Sequence, residues 1–155
     1  MSAIVLLILV TVLYAGYNVF VKAATDSALD TATSTILATI ALQATALMVS
    51  FCFAAMLLFK GDAQLSPGNT SLAWAATAGL CIGIGEIAYF YLFRGSASDP
   101  GMAASVAIPV VVSGALAISV VAGLVFFKES LNTGQILGLL LALAGVGTLA
   151  FSSVR

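Results

Sequence analysis

Leu72-Ala-Trp-Ala-Ala-Thr-Ala-Gly-Leu-Cys-Ile-Gly-Ile-Gly-Glu-Ile-Ala-Tyr-Phe-Tyr-Leu-Phe93 carries a single ionisable acid, Glu86, and no basic residue. An apolar stretch of this length matches what a helix needs to cross the bilayer, about 20 residues with a range of about 17–25. Four more such runs exist, at Ala3–Val21, Thr33–Phe59, Met102–Phe127 and Gly134–Phe151. The second and fourth are long enough to tilt or to extend beyond the hydrocarbon. None alternates apolar with polar residues over segments of roughly ten, as the strands of a membrane barrel do. The expected fold is therefore all-α, a five-helix integral membrane protein.

Composition points the same way. Of the 155 residues 62% are apolar and 7% charged, and mean hydropathy is +1.20. Soluble domains run at about 45–50% apolar and about 25% charged. Charges this sparse cannot cover a water-facing surface, which excludes a soluble enzyme and a disulfide-stapled secreted domain. A net charge of −1 offers no basic footprint, so no nucleic acid is expected as a partner. The chain has no histidine, and Cys52 and Cys81 lie inside apolar runs, so no metal and no cofactor is expected. Buried thiols of this kind behave as small hydrophobes.

Ten of the eleven charged residues mark the ends of the runs. Lys22, Asp26 and Asp30 follow the first, and Lys60 and Asp62 the second. Arg94 and Asp99 follow the third, Lys128 and Glu129 the fourth, and Arg155 the fifth. The first run lacks a basic leader and a small-residue cleavage site, so it reads as a retained helix. Gly61–Asn69, with Ser66-Pro67-Gly68, has the strongest turn chemistry. Asn69-Thr70-Ser71 matches a glycosylation acceptor but reads better as the polar cap of the third helix. Five spans place Lys60 and Lys128 on one side and Lys22, Arg94 and Arg155 on the other. Two basic residues against three give the positive-inside rule little to act on. Such balance fits a faint orientation preference, or insertion both ways with antiparallel pairing.

Small residues at four-residue spacing let helix backbones approach in lipid. Gly79 and Gly83 do so in the third helix, Ala115, Ser119 and Gly123 in the fourth, and Gly138 and Ala142 in the fifth. Polar residues also fall on stripes. Thr11, Tyr14 and Asn18 share a face of the first helix, Thr35, Thr39 and Gln43 of the second, and Ser105, Pro109 and Ser113 of the fourth. In the third, Gly79, Gly83, Glu86 and Phe90 align, with Tyr89 adjacent.

Glu86 is the one charge-capable side chain deep within a run. An ionised carboxylate near the bilayer centre costs at least about 2.5–3.5 kcal/mol on insertion scales. Glu86 must therefore be protonated, paired or facing a wet cavity, which suits a proton carrier. Interhelical glue, worth about 0.6 kcal/mol, is the plainer alternative. Eight residues separate Glu86 from Arg94, about 12 Å at 1.5 Å per residue. Equivalent offsets put Tyr14, Thr39 and Pro109 at the same level, with Asn18 a turn shallower and Gln43 a turn deeper. Pro109 also frees the carbonyl of Ser105 as an acceptor.

The stretch Ala88–Ser152 resembles the C-terminal helices of an EamA-type domain of the drug/metabolite transporter superfamily. The matching elements are Tyr89-Phe90, the turn Gly95-Ser96-Ala97-Ser98, the Pro109 helix, Lys128-Glu129-Ser130-Leu131, Gln135, Gly138 and Ala144-Gly145-Val146. Leu13–Ala24 is similar to that family's first helix. The resemblance implies one half of a ten-helix inverted-repeat carrier, working as a homodimer or as a heterodimer with a second half-size subunit. It also implies a multi-pass protein of a bacterial inner membrane. Glu86 departs from the family pattern, so its role rests on the physical argument above.

The expected function is thus secondary transport of a small organic metabolite, coupled to protons through Glu86. Tyr14, Asn18, Thr39, Gln43 and Glu86 would bind polar groups, with Tyr89, Phe90 and Pro109 completing the walls. An acidic site without basic residues favours a cationic or zwitterionic substrate, such as an amine or amino acid. A non-transporting membrane subunit that partners another half-size transporter is the alternative. A channel fits poorly, since one carboxylate makes a poor wet path, and no enzyme is expected, since Glu86 has no second acid at its depth. Lys128-Glu129 reads as an interfacial pair, with Glu129 near the positive end of the fifth helix.

Overall fold

The computed structural model describes residues 2–27, 31–61, 68–96 and 99–153. It has five long helices: α1 Ala3–Ser27, α2 Ala32–Phe59, α3 Asn69–Arg94, α4 Ala104–Phe126 and α5 Thr133–Ser153. All five are long and apolar enough to cross a membrane, and the chain is a multi-pass membrane protein. A two-residue antiparallel ladder, β1 Gly95–Ser96 with β2 Asp99–Pro100, follows α3. Ala97 and Ser98 of the expected turn lie outside the described residues, as do Asp30, Asp62 to Pro67 of the second turn, and Arg155.

Charge positions located the spans but not every end. α1 runs six residues past Val21 because Lys22 and Asp26, four apart, form an ion pair along the helix. Polar residues at that end continue the helix into the interface instead of stopping it. α3 opens at Asn69, so Asn69-Thr70-Ser71 form its first turn and Gly68 is its cap, with no side-chain hydrogen bond. That corrects the expectation of a polar cap there. α2 does have one, with Thr31 Oγ1 accepting from the Ser34 amide at 3.2 Å.

α5 is capped differently from expectation. Asn132 Oδ1 accepts from the Gln135 amide at 2.9 Å, and Gln135 Oε1 accepts from the Asn132 amide at 2.8 Å. This is the reciprocal capping box. Glu129 instead turns back to α4: its amide donates to the Gly123 carbonyl at 3.1 Å, and its carboxylate lies beside Gly123. Lys128, at φ 54°, makes the reversal.

The chain forms two compact units, Met1–Gly101 and Met102–Arg155. In the second, α4 and α5 pack side by side as a helical pair. In the first, α3 is the central helix and contacts both α1 and α2. α1 runs parallel to α3, with Tyr17 against Glu86, Asn18 against Tyr89 and Lys22 against Phe93. α2 runs antiparallel to it, with Gln43 beside Gly83 and Thr35 beside Arg94.

Burial in this unit is confined to one half of its length. Val21, Thr35, Thr39, Glu86, Tyr89, Phe90 and Phe93 are buried, whereas the N-terminal halves of α1 and α3 are exposed. Exposed Leu, Ile and Phe side chains there suit lipid, whose chains are as apolar as they are. What joins the helices in such a solvent is close packing and hydrogen bonding, not expulsion of water. The polar residues of the buried half are therefore structural as well as chemical.

Candidate functional site

Four residues of α3, Glu86, Tyr89, Phe90 and Phe93, form its one buried face, at offsets of three, four and seven. That spacing stacks them on one side of a helix. Glu86 is 8% exposed and Phe90 1%. Phe90 lies one turn along the helix from Glu86, and the Tyr89 and Phe93 rings pack 4.7 Å apart.

α1 supplies the partners. The Tyr17 hydroxyl donates to Oε2 of Glu86. The Tyr89 hydroxyl donates to Oδ1 of Asn18 at 2.6 Å, and Asn18 Nδ2 donates to the Tyr14 carbonyl at 2.8 Å. Adjacent residues of α1 thus meet α3 through two hydrogen bonds one helical turn apart. Lys22 Nζ stands 5.8 Å from the Phe93 ring centroid, the next step of the same register.

α2 closes the other side. Thr35 and Thr39 are each 2% exposed; Thr39 Oγ1 donates to the Thr35 carbonyl at 3.0 Å, and Thr35 Oγ1 accepts from Arg94 Nη1 at 3.4 Å. Gln43 Nε2 sits 3.6 Å from where a Cβ on Gly83 would stand. The small residue at Gly83 leaves room for this amide one turn from Glu86, where a branched or longer side chain would not. The three-residue stripe of α2 therefore lies against α3 along its length.

Of the residues singled out from the sequence, Asn18, Thr39, Gln43, Glu86, Tyr89 and Phe90 come together in this one cluster. Tyr14 does not join it through its side chain. Its ring is 62% exposed, 6.3 Å edge-on from the Tyr17 ring, and only its carbonyl takes part. Pro109 lies inside α4, in the other compact unit, where the helix continues through it; Ser113, one turn on, is buried and donates to the Val110 carbonyl at 3.0 Å.

Tyr17 is the residue that sequence reading missed. The stripe Thr11–Tyr14–Asn18 directed attention to the neighbouring face, while Tyr17 shares its face with Val21, four residues on and fully packed. Tyr17 also lines a cleft of about 1040 Å³ between α1 and α2, bounded by Gly16, Phe20, Ala38, Ala41 and Leu42, with Phe90 the one lining residue from α3. Apart from Tyr17 and Thr45 its lining is apolar.

Chemically the cluster offers one carboxylate, two phenolic hydroxyls and two amides, in apolar surroundings. Among the described residues no lysine or arginine forms an ion pair with Glu86. It can accept a proton or a cationic group, and it can pass a hydrogen bond between helices. Compared with known proteins, the chain matches no family model, no curated protein and no solved structure.

Proposed function

We propose that the chain is one half of a secondary transporter for a small organic metabolite, coupled to protons through Glu86. The observation that carries this reading is a carboxylate 8% exposed in a membrane-spanning helix, held by a tyrosine from a different helix. Glue between helices needs only an amide or hydroxyl. A carboxylate at that place adds the ability to exchange a proton for a cation. The resemblance to EamA-type domains supports the same reading, and it implies a homodimer or a pairing with a second half-size subunit. Near-balanced charge on the two sides is compatible with an antiparallel homodimer, in a bacterial inner membrane.

In this scheme Glu86 exchanges a proton for a cationic or zwitterionic amine or amino acid. Gln43 and Thr39 face the substrate from α2, Tyr89 and Phe90 supply aromatic walls, and Asn18 holds Tyr89 in place. Tyr14 contributes its carbonyl, which anchors Asn18. A dry surround strengthens each polar contact that forms in it.

The test is a pH step across liposomes containing purified protein, with amines, amino acids and sugars screened for substrate-dependent current. Current for one substrate class, absent in Glu86→Gln, is the expected result. Current that persists unchanged in Glu86→Gln overturns the coupling role. Silence across the panel, with a second membrane protein co-purifying, favours the non-transporting subunit instead.

A further inference from the structure

Tyr17 has a place on two surfaces at once. Its hydroxyl donates to Glu86 across the α1–α3 interface, and its ring lines the α1–α2 cleft. Glu86 itself does not line that cleft, although Phe90, one turn along α3, does. Tyr17 therefore joins the carboxylate on one side to the cleft on the other. We infer that Tyr17 is the positioning residue of Glu86: the hydroxyl fixes the carboxylate on α1. This assignment deepens the carrier reading of the same site and rests on it for its purpose, not for its test.

The surroundings leave the role to Tyr17. From α1, Tyr14 presents only its carbonyl, through Asn18, and Lys22 lies at the level of Phe93 and pairs with Asp26. From α2, the packed half presents Thr35, Thr39 and Gln43, none of them titratable. On α3 itself, Tyr89 is committed to Asn18, and Arg94 lies two turns away beside Thr35 and Tyr91. A hydrogen bond to an ionised carboxylate is roughly twice as strong as a neutral one. The Tyr17 bond is consequently firm while Glu86 is ionised and weak once Glu86 takes a proton, so the same event that loads the proton loosens the hold.

The experiment measures the reactivity of the Glu86 carboxyl, and with it the hold of the Tyr17 hydroxyl on the ionised form. Dicyclohexylcarbodiimide partitions into lipid and reacts with a protonated carboxyl: the acid proton moves to a carbodiimide nitrogen and the carboxyl oxygen bonds to its central carbon. Labelling of Glu86 would be followed by mass spectrometry in liposomes of wild type, Tyr17→Phe and Tyr89→Phe. Tyr17→Phe keeps the ring and loses the hydroxyl, and it should label about tenfold faster or more, given the worth of a hydrogen bond to a charged group. Tyr89→Phe, which removes the neighbouring α1–α3 bond without touching Glu86, should label at the wild-type rate. Equal rates in wild type and Tyr17→Phe overturn the assignment, and so does equal acceleration in both variants. A second measurement leaves Tyr17 intact: the infrared C–O stretch of tyrosine should shift in Glu86→Gln, and an unmoved band overturns the assignment too. Neither readout needs transport, so a chain that labels as expected yet carries a current unchanged in Glu86→Gln refutes the coupling and leaves Tyr17 in its role.

Discussion

Asn18 spends its amide twice. Its Oδ1 receives the Tyr89 hydroxyl from α3 at 2.6 Å, while its Nδ2 is anchored to the Tyr14 carbonyl of its own helix at 2.8 Å. The anchor fixes which way the amide faces, so the acceptor is always presented to α3. Interhelical hydrogen bonds in membranes average about 0.6 kcal/mol, and Tyr89→Phe should cost about that much. Asn18→Leu should cost more, about 1–3 kcal/mol, because it leaves a buried hydroxyl without an acceptor. Replacing both partners removes the orphan, so the double variant should be more stable than Asn18→Leu alone. Unfolding by sodium dodecyl sulfate in mixed micelles, run as a double-mutant cycle, checks the order.

Gly83 and Gly79 lie one turn apart on α3 and should respond differently. A Cβ on Gly83 meets Gln43 Nε2 at 3.6 Å, an ordinary contact, whereas one on Gly79 meets nothing within 4 Å. Gly83→Ala should stay within about 0.5 kcal/mol of wild type. Gly83→Leu must push Gln43 and α2 away and should cost about 1–3 kcal/mol. Gly79→Leu should leave the stability of the chain unchanged. The same micelle titration reads all three, and a costly Gly79→Leu would contradict this packing.

The five spans were legible because charges are expensive in hydrocarbon and so collect at helix ends. The packing faces were legible where polarity marked them. Thr35, Thr39 and Gln43 turn toward α3, and Glu86, Tyr89 and Phe90 lie on its buried face. Tyr17 was not, and the reason is general to lipid. In a soluble helix the apolar stripe names the inward face, but α1 carries apolar residues on every face, and its polar stripe of Thr11, Tyr14 and Asn18 runs beside Tyr17. Nothing in its periodicity separates a tyrosine that faces a partner helix from Tyr14, which faces outward. For α1 and α2, depth arithmetic found the level to within a turn but not the azimuth. The α5 cap was written in the sequence as Asn132-Thr-Gly-Gln135, the capping-box spacing, and the acidic Glu129 nearby drew the assignment away from it.

That cap supplies the third prediction. Asn132→Ala removes the acceptor for the Gln135 amide and should lower stability by about 1 kcal/mol. Lys128 next to it occupies the left-handed region at φ 54°, a conformation costing an L-residue about 1–2 kcal/mol. Lys128→Gly should therefore stabilise the α4–α5 pair and offset most of the Asn132→Ala loss when the two are combined. Thermal unfolding in detergent distinguishes these outcomes, and a destabilised Lys128→Gly would show that the lysine side chain matters more than its backbone.

Among the glycines of the described residues, Gly101 has the least room for a side chain. A Cβ built there would stand 1.8 Å from the Phe93 carbonyl oxygen, 2.5 Å from its carbonyl carbon and 2.9 Å from that of Arg94. The obstacle is backbone, which cannot swing aside as a side chain can. Gly101 directly follows the β1–β2 ladder, whose first residue, Gly95, at φ 72°, reverses the chain at the end of α3. The return strand is thus pressed onto the last turn of the helix that carries Glu86. Gly101→Ala should cost at least about 3 kcal/mol, the upper end of overpacking. Gly138→Ala, with open space around it, should be neutral or slightly stabilising, since alanine favours a helix interior by about 1 kcal/mol. The damage at Gly101 should also reach the site, because Phe93 packs 4.7 Å from Tyr89 and moves with its own backbone. Near-ultraviolet circular dichroism of the tyrosines should change in Gly101→Ala and not in Gly138→Ala; an unchanged spectrum with retained stability would mean that the strand does not press on α3 at all.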